Sequence, residues 1–399
     1  MLNVISLEQA VDLARGELCA ARIGTELLPA DDAVGRVLSA DVVSGENVPA
    51  FDRSTMDGFA LRAADTFGAG QTLPAMLRIV GEIAMGAAAE TAVGPGECAA
   101  IPTGGMLPAG ADAVVPVEYT EKQGDLCLCY TAVSPLQNVT CAGDDVAAGQ
   151  TVLKKGTRLS PAGAGVLAAM GRARVEVYKK PRVAILSTGN EIVPADASPR
   201  PGQVRDVNSH LLRTLCASYG CECVFCGMIE DRKEPMLSAV KTAAAENDLV
   251  LISGGSSAGK ADLTADVIAA LGTVFCHGVA VKPGKPTVLG AVGQTAVFGL
   301  PGHPAACWFM AELLVRSHVE ALLGVTRSRF PVRAALSEHV PSNHGREELL
   351  CVRLEEGKAI PVYAKSGVIS QLCAADGYLV IPRACEGLAR GTEVSVTLF

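Results

Sequence analysis

Apolar positions along the first half of the chain follow two spacings, one typical of helices and one of strands. Helical spacing marks residues 6–22, with Ser6 as the N-cap, and residues 160–170, with Ser160 as the cap before Pro161. From Asp41 to about Ala142, short apolar runs separated by Gly and Pro predict a β-rich module. Its clearest strands are 77–80, 98–101, 113–117 and 127–130. We therefore expect the two helical stretches to form one unit into which the β-rich module is inserted.

Strands and helices alternate from Pro181 onward, which predicts a doubly wound parallel sheet with ligands at the carboxyl ends of its strands. The predicted strands are 182–186, 223–228, 249–252 and 295–299, and the predicted helices are 208–218, 234–247, 262–271 and 305–323. After about Phe330 the apolar runs are β-like again, at 332–336, 349–354, 378–381 and 393–398. A small terminal β module should therefore follow the α/β unit.

Composition narrows the class of protein. With 399 residues, 49% of them hydrophobic and only 4% aromatic, the chain should form two to four domains with aliphatic cores. A net charge of −8 argues against general nucleic-acid binding. No apolar run approaches the roughly 20 residues that span a bilayer, and no signal peptide is visible. We expect a cytoplasmic protein without membrane contact, whose 14 Cys are reduced thiols.

The segment 251–262 is the most informative for chemistry, because a buried strand runs through a Gly-rich turn into a helix. Such turns aim backbone amides at an anion, and nearby hydroxyl and ammonium groups add donors. The spacing is not that of a Walker A loop. Asp262 is either a first-turn partner of the helix dipole or a ligand of a metal or ribose. The candidate anion-binding residues are Gly254, Gly255, Ser256, Ser257 and Lys260.

Three further turns should lie at the same edge of the sheet. One holds Ser187, Thr188, Gly189 and Glu191, and is followed by Asp206 and Asn208, of which Asn208 is as good a helix cap as a ligand. The second fixes two cations, Lys282 and Lys285, between prolines. The third runs from Gly299 through Pro301 to Pro304. Four such turns at one edge predict a long polar crevice.

The β-rich module contributes polar turns of its own. Asp57 precedes Gly58 and Thr103 precedes two glycines, so each is either a turn former or a site residue. The acidic turn that contains Asp145 is either solvated or a ligand for a hard cation. The residues alone leave these alternatives open.

Taken together, these motifs resemble the molybdopterin molybdenumtransferase (molybdenum insertase) family, of the MoeA and gephyrin E-domain type, along nearly the whole chain. The motifs that carry the resemblance are 54–58, 102–104, 143–145, 187–191, 253–255, 282–286 and 301–304. The resemblance implies an α/β multidomain fold. Its parts are a helical linking domain in two segments (1–43 and 144–178), an inserted β-rich domain (44–143), a doubly wound parallel α/β domain (179–327) and a C-terminal β-barrel (328–399).

The same resemblance implies an activity, cofactor and partners. Adenylylated molybdopterin and molybdate would give molybdenum cofactor and AMP, with Mg2+ held by Asp262 and Glu191. Lys282, Lys285, Arg346 and Ser366 would attract the oxyanion or the pterin phosphate. A homodimer would place Asp57, Thr103 and Asp145 of one subunit over the site of the other, with Asp231 as a further acidic position. Molybdopterin adenylyltransferase would be the upstream partner.

Three positions depart from the family pattern. Lys260 replaces an acidic residue, Cys276-His277-Gly278 stands where a basic residue is usual, and His303 replaces Asn. They bear on the choice between molybdate and tungstate. Two other functions compete with the insertase: a non-catalytic protein that binds the cofactor or acts as a scaffold on the same fold, and the adenylylation step itself. The inserted and terminal modules argue against adenylylation, because the related enzyme needs only the α/β part.

Overall fold

The computed structural model describes residues 4–19, 23–254, 261–325, 330–343, 345–363 and 367–399, with the backbone alone at 261 and 262. Within these ranges no helix is both long and apolar enough to cross a membrane. The chain begins with helix α1 (Leu7–Arg15), β1 (Thr25–Pro29) and β2 (Val42–Val43). Ser6 caps α1 as predicted, because its hydroxyl accepts from the Gln9 amide. The predicted extension of α1 to residue 22 is wrong. The backbone leaves helical geometry at Gly16, whose amide bonds to the Asp12 carbonyl.

The inserted region is a six-stranded sheet of order β7-β4-β6-β5-β9-β8, and a separate short pair joins β3 to β10. Its core is aliphatic and rich in thiols, with Cys98, Cys127 and Cys129 all buried. Two short 3-10 helices, Ala63–Thr66 and Val117–Tyr119, connect strands within the region. The strands are β3 (Arg53–Ser54), β4 (Gly58–Leu61), β5 (Ala75–Glu82), β6 (Glu97–Ile101), β7 (Ala113–Pro116), β8 (Thr120–Gln123), β9 (Leu126–Cys129) and β10 (Val139–Thr140).

After this region the chain returns to its first segment. The returning elements are β11 (Thr151–Leu153), α2 (Pro161–Ala169) and β12 (Arg174–Tyr178). β12 pairs antiparallel with β1, and β11 with β2, so two segments more than a hundred residues apart form one body. Ser160 caps α2 by accepting from the Gly163 amide, as predicted. α1 packs elsewhere, in the core that it shares with the following α/β unit. The domain boundaries themselves stay predictions.

A six-stranded sheet of order β16-β13-β17-β21-β20-β18 forms the α/β unit. Its first four strands are parallel, as expected, whereas β20 and β18 are antiparallel additions that the sequence patterns did not predict. Its elements are β13 (Arg182–Thr188), β14 (Ile192–Val193), β15 (Val204–Arg205), α3 (Asn208–Ser218), β16 (Glu222–Ile229), α4 (Lys233–Glu246), β17 (Leu249–Gly254), α5 (Ala261–Leu271), β18 (Thr273–His277), β19 (Val281–Lys282), β20 (Val288–Val292) and β21 (Thr295–Leu300).

Alternation of side chains along the strands explains why helices cover both faces of this sheet. Ile185 and Leu251 face one core together with α3, whereas Ala184 and Val250 face a second core together with α4 and α5. The first core is closed by a long helix. That helix runs as α6 (Pro304–Met310), a π-helical turn (Ala311–Val315) and α7 (Arg316–Leu322). The doubly wound α/β fold class is therefore confirmed.

The terminal module is a closed barrel of five strands, in which β24 pairs with β25, β25 with β22, β22 with β28, β28 with β26, and β26 again with β24. The short strand β19 of the α/β unit also pairs with β24, which ties the two units together. The elements are β22 (Val332–Leu336), β23 (Val340–Pro341), β24 (Glu347–Glu355), β25 (Lys358–Pro361), α8 (Ser370–Cys373), β26 (Gly377–Ile381), β27 (Gly387–Leu388) and β28 (Glu393–Leu398).

Candidate active site

Four polar turns lie at one edge of the α/β sheet. β13, β17 and β21 are parallel neighbours, so the turns that follow them start side by side. β20 runs in the opposite direction, and its first residue, Val288, pairs with Gly299 near the end of β21. The turn of residues 282–287, which precedes β20, therefore begins at the same edge. Sheet topology thus places the described parts of the four motifs, residues 187–191, 253–254, 282–286 and 301–304, along the same edge.

The first two turns are held by a close approach of backbone to backbone. Gly254 has a φ of +125°, and a Cβ on this residue would lie 1.9 Å from the Thr188 carbonyl oxygen. Only glycine fits here, because any side chain would overlap the neighbouring strand. The Thr188 hydroxyl in turn donates to Asp231 Oδ1 across 3.4 Å. Asp231, predicted as an acidic site residue, is thereby brought next to Thr188.

The hydroxyl groups of this edge are buried beneath the turns. Ser187 and Ser253 are register partners on β13 and β17, and both are almost fully buried. Among the side chains that the structure describes, no partner reaches the Ser187 hydroxyl. Glu191, by contrast, is exposed at the end of its turn, beside Gly189. The edge therefore has an exposed carboxylate on its first turn and buried hydroxyl groups at its strand ends.

Several predicted residues lie outside the described ranges. These are Gly255, Ser256, Ser257, Lys260 and Ser366, and for Asp262 only the backbone is described, at the beginning of α5. Since α5 follows β17, Asp262 belongs to the same edge of the sheet as Glu191. Their roles stay predictions.

The start of α3 settles what Asn208 does. Its side-chain amide donates to the Gly302 carbonyl at 2.9 Å, which links α3 to the turn after β21. The capping bond of α3 comes from Asp206, whose carboxylate accepts from the Ser209 amide at 3.0 Å. Asn208 is therefore not the cap of α3 but a brace between two turns. That brace supports the turn containing Pro301, which is buried, and Pro304, which is half-buried.

The third turn is fixed by glycine and by its own hydrogen bonds. Gly284 has a φ of +129°, and a Cβ there would lie 2.7 Å from the Met310 sulfur in α6. The Thr287 hydroxyl donates to the Gly284 carbonyl at 2.7 Å. Lys282 and Lys285 emerge from this fixed turn with exposed side chains. The turn thus presents two cations from a rigid base.

A cavity of about 670 Å³ lies between this turn, the beginning of α6 and the strand β24 of the barrel. Its charged lining residues are Lys282, Lys285, Arg346 and Glu348, and Pro301 and His303 close one side. Lys282 pairs with Glu348 at 2.8 Å. Within the described ranges, neither Lys285 nor Arg346 has a carboxylate within ion-pair distance. Uncompensated cations in a concave site favour an anionic ligand.

The predicted site residues of the inserted region lie apart from this cavity. Asp57 Oδ1 accepts from the Thr103 amide at 2.6 Å and from its hydroxyl at 2.8 Å, which joins two turns. The Thr103 amide bond, followed by the hydroxyl bond, lowers the pKa of the Asp57 carboxyl below its ordinary value. Asp145 is exposed on a third turn. Within one chain, none of these three residues lines the cavity.

Comparisons with known proteins match nearly the whole chain. Residues 5–171 match the MoeA N-terminal region (domain I and II), residues 184–321 a probable molybdopterin binding domain, and residues 333–399 the MoeA C-terminal region (domain IV). A molybdopterin molybdenumtransferase of Bacillus subtilis is 32% identical over 385 residues, which is 94% of this chain and 90% of that protein. The chain belongs to the MoeA family.

Two further relatives agree with this membership. A putative molybdopterin biosynthesis protein of Methanocaldococcus jannaschii is 34% identical over 377 residues, covering 92% of this chain and 90% of its own. A solved MoeA structure from Pyrococcus horikoshii superposes with a TM-score of 0.89 at 32% identity, over 99% of this chain and 100% of that chain. The family membership inferred from the sequence motifs is therefore confirmed.

The cavity of this MoeA-family protein also contains residues that the sequence analysis did not single out. Glu348 is the main one, and Ser342 behind it donates to its second carboxylate oxygen. A signal was available, because Glu348 lies only two residues from Arg346, which the family resemblance places at the site. Tyr363 and Phe309 also line the cavity, but nothing in their local patterns marks them.

Proposed function

We propose that this protein is a molybdenum insertase, which transfers molybdate to adenylylated molybdopterin and releases AMP. The observation that carries the proposal is the cationic cavity of about 670 Å³ at the end of a polar sheet edge, in a MoeA-family chain. An oxyanion would bind at Lys282, Lys285 and Arg346, and the phosphates and pterin would lie along the edge that contains residues 187–189 and Gly254. The predicted donors Gly255, Ser256 and Ser257 follow Gly254 in the sequence. The two substrates would then meet where the four turns converge.

The residues at the edge suit a Mg2+ ion bound together with phosphates. Mg2+ is usually held by one or two carboxylates and by the oxygens of its substrate, and the exposed Glu191 and the predicted Asp262 belong to neighbouring turns. When bound, the ion would neutralise charge on the phosphates as the phosphoanhydride is cleaved. The hydroxyls of Ser187 and Thr188 would orient those phosphates, and Asp231 would fix the Thr188 hydroxyl.

The inserted region would complete the site from a second subunit. In a homodimer of this kind, Asp57, Thr103 and Asp145 of one subunit would face the sheet edge of the other. The proposal is supported by the position of these residues, which are exposed but lie outside the cavity of their own chain. We further propose a cytoplasmic enzyme, with the domain limits 43/44, 143/144, 178/179 and 327/328, that receives its substrate from a molybdopterin adenylyltransferase.

The test is AMP release from purified protein loaded with adenylylated molybdopterin and Mg2+, with and without molybdate or tungstate. We expect oxyanion-triggered release by the wild type, at least 100-fold slower release by Asp262→Ala, and a raised KM for the oxyanion in Lys285→Ala. Lys358→Ala, which removes an exposed lysine of the terminal barrel that does not line the cavity, is the control and should behave as wild type. Tight substrate binding without release under either oxyanion would instead indicate a carrier or scaffold.

A further inference from the structure

Glu348 is the one acidic residue among the described residues that line the oxyanion cavity, and both of its oxygens are engaged. Lys282 Nζ donates to Oε1 at 2.8 Å, and the Ser342 hydroxyl donates to Oε2 at 2.8 Å. Lys282 and Glu348 are also register partners in the parallel pairing of β19 with β24. The carboxylate is therefore held in place by the backbone ladder and by two side chains.

This arrangement gives Lys282 a partner before any substrate arrives. The Lys282 side chain is 51% exposed and the Glu348 side chain 21%, so the pair stands at the cavity wall and remains accessible to a ligand. An oxyanion that binds Lys282 must take the place of the carboxylate or share the ammonium group with it. Either event costs part of an existing charge-assisted hydrogen bond.

Charge balance points in the same direction. Lys282, Lys285 and Arg346 supply three positive charges, and Glu348 reduces the net charge of these residues to two. A tetrahedral dianion therefore meets a net charge of two, which attracts it less strongly than the three cations alone would. Without the carboxylate, the same dianion would be bound by three uncompensated cations.

We propose that Glu348 is a positioning residue that acts through Lys282: it competes with the oxyanion and keeps a bound tetrahedral dianion exchangeable. This inference rests on the proposed function, because it concerns the same cavity. An anion that must be handed on to a second substrate gains nothing from binding so tight that it cannot leave. The carboxylate therefore weakens ground-state binding of the oxyanion and promotes its transfer.

The test uses two anions of the same shape and different charge. Tungstate is a dianion and perrhenate a monoanion, and binding of each at pH 8 would be measured by titration calorimetry without pterin substrate. Glu348→Gln keeps the shape and removes the charge. We expect tungstate to bind about 10-fold more tightly to this variant and perrhenate about 3-fold, since the Coulomb energy scales with the charge of the ligand.

Three further variants separate charge from structure. Glu393→Gln removes a carboxylate of the same barrel that pairs with Arg333 outside the cavity, and should leave both affinities within 2-fold of wild type. Ser342→Ala retains the Glu348 charge and should shift tungstate binding by less than 3-fold. Glu348→Asp should restore most of the wild-type affinity, because the charge is retained.

In the AMP-release assay, Glu348→Gln should lower both the KM for the oxyanion and kcat, a combination that a purely structural defect does not give. Weaker tungstate binding by Glu348→Gln, or an equal change for both anions, would overturn the inference. So would a wild type that binds neither anion. Because binding is measured without the pterin, charge-dependent binding without any AMP release would refute the proposed function, while the competition between Glu348 and a bound dianion would still stand.

Discussion

The sheet edge of the α/β unit and the Asp57–Thr103 turns of the inserted region both present polar groups, but they are built differently. At the sheet edge, a Cβ on Gly254 would overlap the Thr188 backbone, and a Cβ on Gly284 would overlap the Met310 side chain. In the inserted region, Asp57 and Thr103 are exposed and are joined by two hydrogen bonds. One half of the proposed site is thus fixed by steric packing, the other by local polar contacts.

This difference indicates which half of the proposed site tolerates amino-acid substitutions. Steric packing in a buried junction transmits any added atom into the sheet, because protein interiors have almost no free volume. Exposed hydrogen bonds can be lost with little effect on folding. Substitutions at the edge should therefore impair folding and activity together, whereas substitutions at the turns should impair activity alone.

The largest expected effect comes from Gly254→Ala. The added carbon would lie 1.9 Å from the Thr188 carbonyl oxygen, at a φ of +125° that disfavours alanine. The free energy of unfolding should fall by about 3 kcal/mol, and AMP release should be lost. Chemical denaturation and the AMP assay measure the two effects.

Gly165→Ala is the control for this substitution, because Gly165 lies exposed in α2 and a Cβ there meets nothing within 4 Å. It should raise the free energy of unfolding by about 0.5–1 kcal/mol, since alanine is the better helix former. If Gly254→Ala were as well tolerated as Gly165→Ala, steric packing would not fix the sheet edge.

The second prediction tests whether the two regions meet across a dimer. Asp57→Ala and Asp262→Ala should each abolish AMP release when assayed alone. After joint unfolding and refolding of equal amounts, half of the dimers would be mixed and hold one intact site of two. About a quarter of the wild-type activity should then return. No recovery, with mixed dimers demonstrated by two different affinity tags, would place both residues in the same subunit's site.

Much of this architecture was predictable from the sequence, because the signals are local. The alternating strands and helices after Pro181 and the caps Ser6 and Ser160 are set by residues within a few positions of each other. The antiparallel strands β18 and β20 were missed, since their short runs carry no sign of the partner that pairs with them. Lys282 and Lys285, by contrast, were predicted, because the prolines beside them are a local sign of a rigid turn.

Glu348 was missed because its role depends on contacts distant in sequence. Its lysine partner lies 66 residues earlier, and only the pairing of β19 with the barrel brings the two together. Asn208 was ambiguous for a similar reason, because its brace to Gly302 spans 94 residues. Local patterns identify the residues that form turns, but they do not show which turns meet.

A smaller effect is expected from Thr103→Val, which keeps the volume and the amide of Thr103 but removes its hydroxyl. Asp57 would lose one of its two hydrogen-bond donors, so the pKa of its carboxyl should rise towards the ordinary value. AMP release should fall by about 10-fold, because the turn is less well held. NMR titration of Asp57 and the AMP assay measure these effects, and the melting temperature should stay unchanged. A marked loss of thermal stability would mean that this turn, like the sheet edge, is part of the folding core.

The smallest predicted effect extends the comparison to pH. His318 is fully buried in α7, and its Nδ1 lies 2.8 Å from the Ala14 carbonyl oxygen of α1. Burial lowers the pKa of His318, with the Ala14 carbonyl opposing part of that shift. The folded state therefore keeps the ring neutral, whereas the unfolded chain takes up a proton below a pH of about 6.5. The stability that the neutral ring contributes is complete above this pH and is lost as the pH falls further.

Denaturation of the wild type between pH 7.5 and 5.5 should thus show a decline of about 1 kcal/mol that is absent from His318→Gln. His339→Gln, at an exposed position in the barrel, is the control and should keep the wild-type decline. A decline of the same size in His318→Gln would assign the pH dependence to other groups. His318 joins α1 to the core behind the sheet edge, whereas the Asp57–Thr103 turns lie elsewhere. Hydrogen exchange at pH 5.5 should therefore become faster first in α1. The protection of the amides around Thr103 should stay the same as at pH 7.5.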